Sequence, residues 1–359
     1  MSSPEFDLIR LAARADLDAR RAGALREAAG AALDWPRVLR LASYHRLTPL
    51  LSAHLGSHAA SAVPADALAA LRDETQRMAV YVLVLSSEMA RVAERLEAHG
   101  LAYLVLKGPS LTAAYGGVAK RPFVDNDLLI RRHDFGRVAQ ALRELGFDGE
   151  TRDRLRQRGH RLVHGESTFC RAVGTFPSTV DLHTGLVPLG FSYAPRFEDL
   201  RGRSRPIEVA GATVPALSWE DLFLTLSVNA LKDQWDHLRL AADVAEVGAR
   251  VQDWEAVTER AGRLGSLRAV HLAVLVAAAE VSATFPEPVL RRARQDRRAR
   301  ALARTVRSSL ATAAEAPVMP GPARVRLNLL VQDGPAGQAR YAAFVTARRM
   351  LERWVGSEP

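Results

Sequence analysis

A single cysteine, Cys170, stands in 359 residues, so the chain can form no internal disulfide and a reducing compartment is expected. Aromatic residues are also scarce, at 6%, which leaves few ring faces for stacking nucleobases. Met1 to Asp7 lacks the basic segment followed by an apolar one that marks a signal peptide, so a cytoplasmic location is expected. The most apolar stretch, Ala269 to Phe285, is short for a membrane span and carries His271 and Glu280. It reads as a buried helix, and no membrane association is expected. Lysine is nearly missing: of 49 basic side chains only Lys107, Lys120 and Lys232 are lysines.

What is present is ordinary globular material, 48% hydrophobic and 25% charged, enough for two domains or so. The net charge of +9 is the footprint of a nucleic-acid partner. Against that, the arginines are scattered beside Ala and Leu, as GC-rich coding would produce, and RNA stays an open partner. In a chain that uses Arg almost everywhere, a retained lysine marks a place where a compact ammonium matters. All three lysines fall in or beside the segments singled out below.

Residues 1–95 show helical periodicity, with Trp35, Val38, Leu39, Leu41 and Ala42 on one apolar face. The pattern changes at Gly100. Leu101–Leu106 reads as a strand, Pro109 opens a helix through Tyr115, and Gly116-Gly117 ends it. Phe123–Ile130 reads as a second strand, Phe135–Leu145 as a helix closed by Gly146, and Ser178–Leu182 as a third strand. Ile207–Val214 reads as a hairpin around Ala210-Gly211. From Ser218, which with Asp221 resembles a capping box, the chain is helical to about Val306. Pro317, Pro320 and Pro322 mark a loop before a last helix over Ala336–Trp354. The expected fold is α/β (α+β): a mixed-sheet core over 96–215 between helical regions at 1–95 and 216–359.

Asp125 and Asp127 stand two apart on an expected strand, so both carboxylates leave one face. Such a pair can hold Mg²⁺ against phosphate oxygens. Asp181 lies in Val180-Asp181-Leu182-His183. If that strand pairs beside the first, three carboxylates converge, enough to bridge two metal ions; otherwise Asp181 and His183 decorate a solvent face. Lys107-Gly108-Pro109-Ser110 sits at a strand-to-helix junction. There the Gly108 backbone and Ser110 hydroxyl can meet phosphate and Lys107 can supply charge, although Gly-Pro is also plain turn grammar.

These segments together, Leu106-Lys107-Gly108, Tyr115-Gly116, Arg121-Pro122, Asp125-Asn126-Asp127-Leu128-Leu129-Ile130 and Val180–His183, resemble the bacterial "uncharacterised nucleotidyltransferase" family of the polymerase-beta superfamily. The resemblance extends upstream to Asp34-Trp35 and Ala42–Leu50, and downstream to Trp235–Ala245. It implies a minimal polymerase-beta-type nucleotidyltransferase core whose aspartates bind two Mg²⁺ (or Mn²⁺) ions and an NTP, ATP by default. Val124 and Thr184 depart from the Gly or Ser and the aromatic residue that members often carry there, which bears on pocket shape.

Lys232, Asp236, Arg239 and Asp243 step by four, three and four, which would line one helix face. That face is expected to close over the nucleotide, with Lys232 and Arg239 on phosphates and Asp243 orienting Arg239; a solvated salt-bridged stripe is the alternative. Arg121, Asp243 and His183 are further candidates for substrate contact. His160, His164, Cys170 and His183 match no standard zinc spacing. The expected reaction moves NMP from NTP to an unidentified acceptor, a small molecule, peptide or protein, releasing pyrophosphate. An RNA-directed transferase, or a nucleotide-binding regulator without catalysis, is the alternative.

Overall fold

Tyr103 and Val105 pack into one apolar cluster and Leu104 into another, so the strand they form is covered on both faces. The computed structural model describes residues 3–149, 165–312 and 321–355. Its strands are β1 (Tyr103–Val105), β2 (Asn126–Ile130), β3 (Asp148–Gly149), β4 (Glu166–Val173), β5 (Phe176–His183), β6 (Arg205–Val209) and β7 (Ala212–Ala216). They build one seven-stranded sheet in the order β3-β4-β5-β2-β1-β7-β6. β2 runs parallel to β5 and β1 parallel to β7, while the other neighbours are antiparallel, so the sheet is mixed as expected.

The expected hairpin forms between β6 and β7. Ala210 and Gly211 both take positive φ, 48° and 84°, the geometry of a two-residue turn whose twist suits the strands. The expected strand from Phe123 starts later, at Asn126. The backbone before it is held by side chains instead of a ladder: Thr112 Oγ1 donates to Arg121 O at 2.9 Å and Tyr81 OH to Val124 O at 3.2 Å. β4 was not foreseen, because Glu166-Ser167-Thr168 carries no apolar alternation; it forms because β5 gives it eight paired residues.

One face of the sheet is covered by α5 (Ala65–Ala98) and α7 (Phe135–Glu144). Met89, Val92 and Leu96 meet Val138 and Leu142 over Val105, Leu128 and Val180. The opposite face, with Leu104, Leu106 and Leu129, joins a larger cluster. That cluster unites α1 (Pro4–Ala12), α3 (Trp35–Tyr44) and α4 (Thr48–His58) with the helices after residue 218. The segments 1–95 and 216–359 therefore share a core. Polar ties fasten them: the Leu238 N–H donates to His45 Nδ1 at 3.1 Å, and Arg14 Nε to Glu246 Oε1 at 2.6 Å.

Ser218 caps the helix Trp219–Lys232, its Oγ accepting from the Asp221 N–H at 3.1 Å. This helix stops at Lys232 and the next begins at Arg239. The expected single face of Lys232, Asp236, Arg239 and Asp243 is thus incorrect. Gln234 and Trp235 take φ of 59° and 52°, and the indole of Trp235 is buried, which pulls the chain out of helical register. Pro322 lies in the helix Gly321–Val331 instead of a loop, while Pro317 and Pro320 fall outside the described residues. The last helix spans Gly334–Val355. Among the described residues, no helix is long and apolar enough to cross a membrane.

Candidate active site

The site is built on the parallel pair β2 and β5. Asp127 is the register partner of Asp181, and Leu129 that of His183. Val180 and Leu182 point into the cluster under α5 and α7, so alternation sends Asp181 and His183 to the other face, where Asp127 also lies. Asp125 precedes β2 and is half-buried, with exposed Val124 beside it. The three aspartates thus lie near one end of two adjacent central strands.

Their electrostatics are strained. Burial, and then the neighbouring charge of Asp127, pushes the Asp125 carboxyl up to about 6. Burial also raises Asp181, with Asp127 adding to it. Burial pulls Asp127 the same way, but Lys107 and His183 outweigh it and hold that carboxyl below its ordinary range. The Lys107 ammonium lies 3.9 Å from Asp127 Oδ2, and His183 Nε2 is 2.8 Å from Oδ1. Asp181 Oδ1 is buried with no hydrogen-bond partner.

Gly108 places Lys107. It takes φ 50° and ψ −109°, and a Cβ there would come 3.1 Å from the Asp125 carbonyl and 3.3 Å from the Phe123 ring. Glycine alone lets the β1 end approach the start of β2 so closely. The rest of the junction differs from expectation. α6 (Pro109–Tyr115) begins with Pro109, and the Ser110 and Leu111 N–H groups already donate to Lys107 O and Gly108 O. The Ser110 side chain is fully buried and its Oγ accepts from Arg205 Nη2 at 2.8 Å, so it faces the protein interior.

Arg121 and Asp243 are likewise internal. Arg121 Nε and Nη2 donate to the two Asp243 oxygens at 2.7 and 2.8 Å, Nη1 donates to Pro122 O, and Tyr115 OH donates to Asp243 Oδ1. Both residues are buried, at 6% and 2% exposure, so neither is open to substrate. This bidentate pair ties the loop before β2 to the helix Arg239–Gly248. Asp243 is thereby hydrogen-bonded to Arg121 and Tyr115, and its charge also acts on Arg239. Arg239 Nε is buried without a partner, and burial followed by repulsion from Arg121 lowers its guanidinium to about 9. Arg239 lies close enough to Asp125 to stabilise its charge.

Lys232 is bound to Glu166 Oε2 at 2.8 Å, and the same oxygen lies 3.8 Å from His183 Nδ1. Lys232 thereby buttresses the histidine that holds Asp127. Glu166 carried no recognisable signal in the sequence, since its only link to the site is spatial. Tyr115 stood in a quoted motif, but its partner Asp243 lies 128 residues away. Of the zinc candidates, His160 and His164 lie outside the described residues. Cys170 Sγ sits 3.7 Å from Thr179 Oγ1, and His183 is taken by Asp127. Among the described residues no three His, Cys, Asp or Glu side chains are gathered closely enough to hold a metal ion as they stand.

Comparison with known proteins gives three findings. A solved structure, an antigenic nucleotidyltransferase-like protein from Paracoccidioides brasiliensis, shares 13% identity with a TM-score of 0.37, over 58% of this chain and 96% of that one. No curated protein matches the sequence. The model of a family described as uncharacterised nucleotidyltransferase matches residues 31–281, which include all three aspartates, Lys107 and Arg239. With well over half of its length matched, the chain belongs to that uncharacterised nucleotidyltransferase family.

Proposed function

We propose that the chain is a Mg²⁺-dependent transferase that moves a nucleoside monophosphate from an NTP to an acceptor hydroxyl or phosphate. The observation that carries this reading is the register pairing of Asp127 with Asp181 beside Asp125, on a chain of this family. The donor set suits a hard cation. Asp125 is driven up by burial and then by its acidic neighbour, and Asp181 has a buried oxygen without a partner. Asp125, Asp127 and Asp181 would hold Mg²⁺, or Mn²⁺, which when bound supplies charge neutralisation at the phosphates.

The chain's own residues do the rest. Lys107, beside Asp127, and Arg239, whose charge acts on Asp125, bind the triphosphate, and the Gly108 backbone gives it room. An acceptor oxygen forms a bond to the α-phosphorus as the bond to the bridging oxygen breaks, and pyrophosphate departs. Asp181, made more basic by burial, takes the acceptor's proton. Incubation with each α-labelled NTP and Mg²⁺, over a panel of small-molecule, peptide, protein and RNA acceptors, tests the proposal. Label transfer that Asp125→Asn abolishes is expected; transfer that survives this change overturns the metal assignment.

One observation favours a second reading, nucleotide binding without transfer: Lys107 and His183 occupy Asp127, and among the described residues no three ligands are gathered. Binding of NTP with no pyrophosphate released in the presence of any acceptor would establish it.

A further inference from the structure

A number of arginines in this molecule are paired with an acid. Arg14, Arg121, Arg131, Arg203 and Arg268, for instance, each meet a carboxylate. The two consecutive helices Glu287–Gln295 and Arg297–Thr312 are different. Between Arg291 and Arg304 stand seven arginines, all exposed. Among the described residues none of these seven side chains has a carboxylate within 4 Å; the next one, Arg307, donates to Glu280. Asp296, the single acid inside the run, is consumed elsewhere. His271 and Arg268 meet its Oδ2, and the N–H groups of Arg298 and Ala299 donate to its Oδ1.

The geometry makes this a surface. Arg297, Arg300 and Arg304 step by three and four along one helix face, while Leu302, Ala303 and Val306 bury the opposite face in the helical core, with Ala299 buried beside them. From Arg297 to Arg304 the stripe runs about 10 Å along the axis, and the preceding helix adds exposed Arg291, Arg292 and Arg294 close by in the chain. A row of cations without local counter-charges is costly unless it is solvated or meets a polyanion. No large apolar side chain of these helices is exposed, so nothing is available to insert into a lipid surface.

We infer that the helix pair 287–312 is a docking surface for nucleic acid, gripped through its phosphate backbone. The segment holds no aromatic residue, so contact is through charge and is independent of sequence. The surface lies apart from the aspartates in the chain, and its occupation does not depend on the transfer reaction.

The test uses the full chain without NTP and a fluorescent single-stranded RNA of mixed sequence, titrated at several salt concentrations. Contact with about five phosphates gives a slope of log affinity on log salt near −3.5 for a single strand. The triple variant Arg297→Gln, Arg300→Gln, Arg304→Gln is expected to bind at least tenfold more weakly with a shallower slope. The matched variant Arg20→Gln, Arg40→Gln, Arg72→Gln, which removes the same charge from exposed positions elsewhere, is expected to bind as the wild type does. Equal losses in both variants would reduce the effect to net charge and overturn the inference. So would binding to vesicles of anionic phospholipid with none to RNA. Melting temperatures of both variants establish that they are folded.

Discussion

Asp127 and Asp181 sit opposite each other in the parallel pairing of β2 and β5, with His183 bonded to the first at 2.8 Å. Asp127 is compensated by Lys107 and His183, but Asp181 and Asp125, both raised by burial and by the Asp127 charge, oppose folding when ionised. Such an arrangement persists where binding uses it, and its consequences are measurable.

Removing charge should stabilise the free protein. Burial and Asp127 both oppose ionisation of Asp125, so Asp125→Asn is expected to gain about 1–2 kcal/mol at pH 8, after allowance for its partial exposure. Denaturant unfolding without divalent metal measures it. An unchanged or lowered midpoint would mean that the cluster is not strained.

Arg121 and Arg239, neighbours in space, should respond differently. Arg121→Ala leaves Asp243 buried and unpaired and is expected to cost about 3–5 kcal/mol of stability. Arg239 has no partner at its Nε, so Arg239→Ala should cost less than about 1 kcal/mol while weakening NTP binding at least tenfold. Unfolding curves paired with nucleotide titrations separate the two. Equal destabilisation by both changes would remove Arg239 from the site.

Gly108→Ala forces a Cβ to 3.1 Å from the Asp125 carbonyl at a φ of 50°. The expected loss is about 1–3 kcal/mol, with the Lys107 ammonium displaced from Asp127. Thermal melting checks the first, and reduced NTP affinity the second. A melting temperature equal to the wild type would show that the approach of β1 to β2 is looser than described.

His45 makes stability pH-dependent. It is fully buried, its Nδ1 accepts from the Leu238 N–H, and burial followed by repulsion from His237 lowers it to about 4 from an ordinary 6.5. A depressed folded value means that the unfolded chain binds the proton more readily. The His45 contribution is therefore intact above pH 6.5 and is lost as pH falls from there to about 4, by up to about 3 kcal/mol. Denaturant midpoints at pH 7, 6, 5 and 4 should fall more steeply in the wild type than in His45→Gln. Identical slopes would contradict the buried neutral imidazole.

Much of this was legible in the chain because local rules and tertiary demands agree. The hairpin at Ala210-Gly211, the Ser218 cap and the apolar strand within Leu101–Leu106 follow from spacing alone, and the strand expected over Phe123–Ile130 forms over its Asn126–Ile130 part. The aspartates were legible through alternation and resemblance, and their meeting through the β2–β5 register was the conditional step. What misled was periodicity across 232–243. Its steps fit a helix, yet Trp235 gains more by burial than the helix does by continuing. Ser110, Arg121 and Asp243 were legible as polar residues near the site, but their partners Arg205 and Tyr115 lie on other elements, and sequence spacing does not tell which way a side chain turns.

The central claim concerns the carboxylates on β2 and β5. Manganese titrated with a non-hydrolysable NTP analogue, followed by the loss of free Mn²⁺ signal in electron paramagnetic resonance, addresses it directly. The wild type is expected to take up Mn²⁺ beyond that held by the nucleotide alone, and Asp127→Asn and Asp181→Asn to lose that uptake by tenfold or more in affinity while remaining folded. Undiminished Mn²⁺ uptake by both variants would contradict the assignment of these aspartates to a metal-nucleotide site.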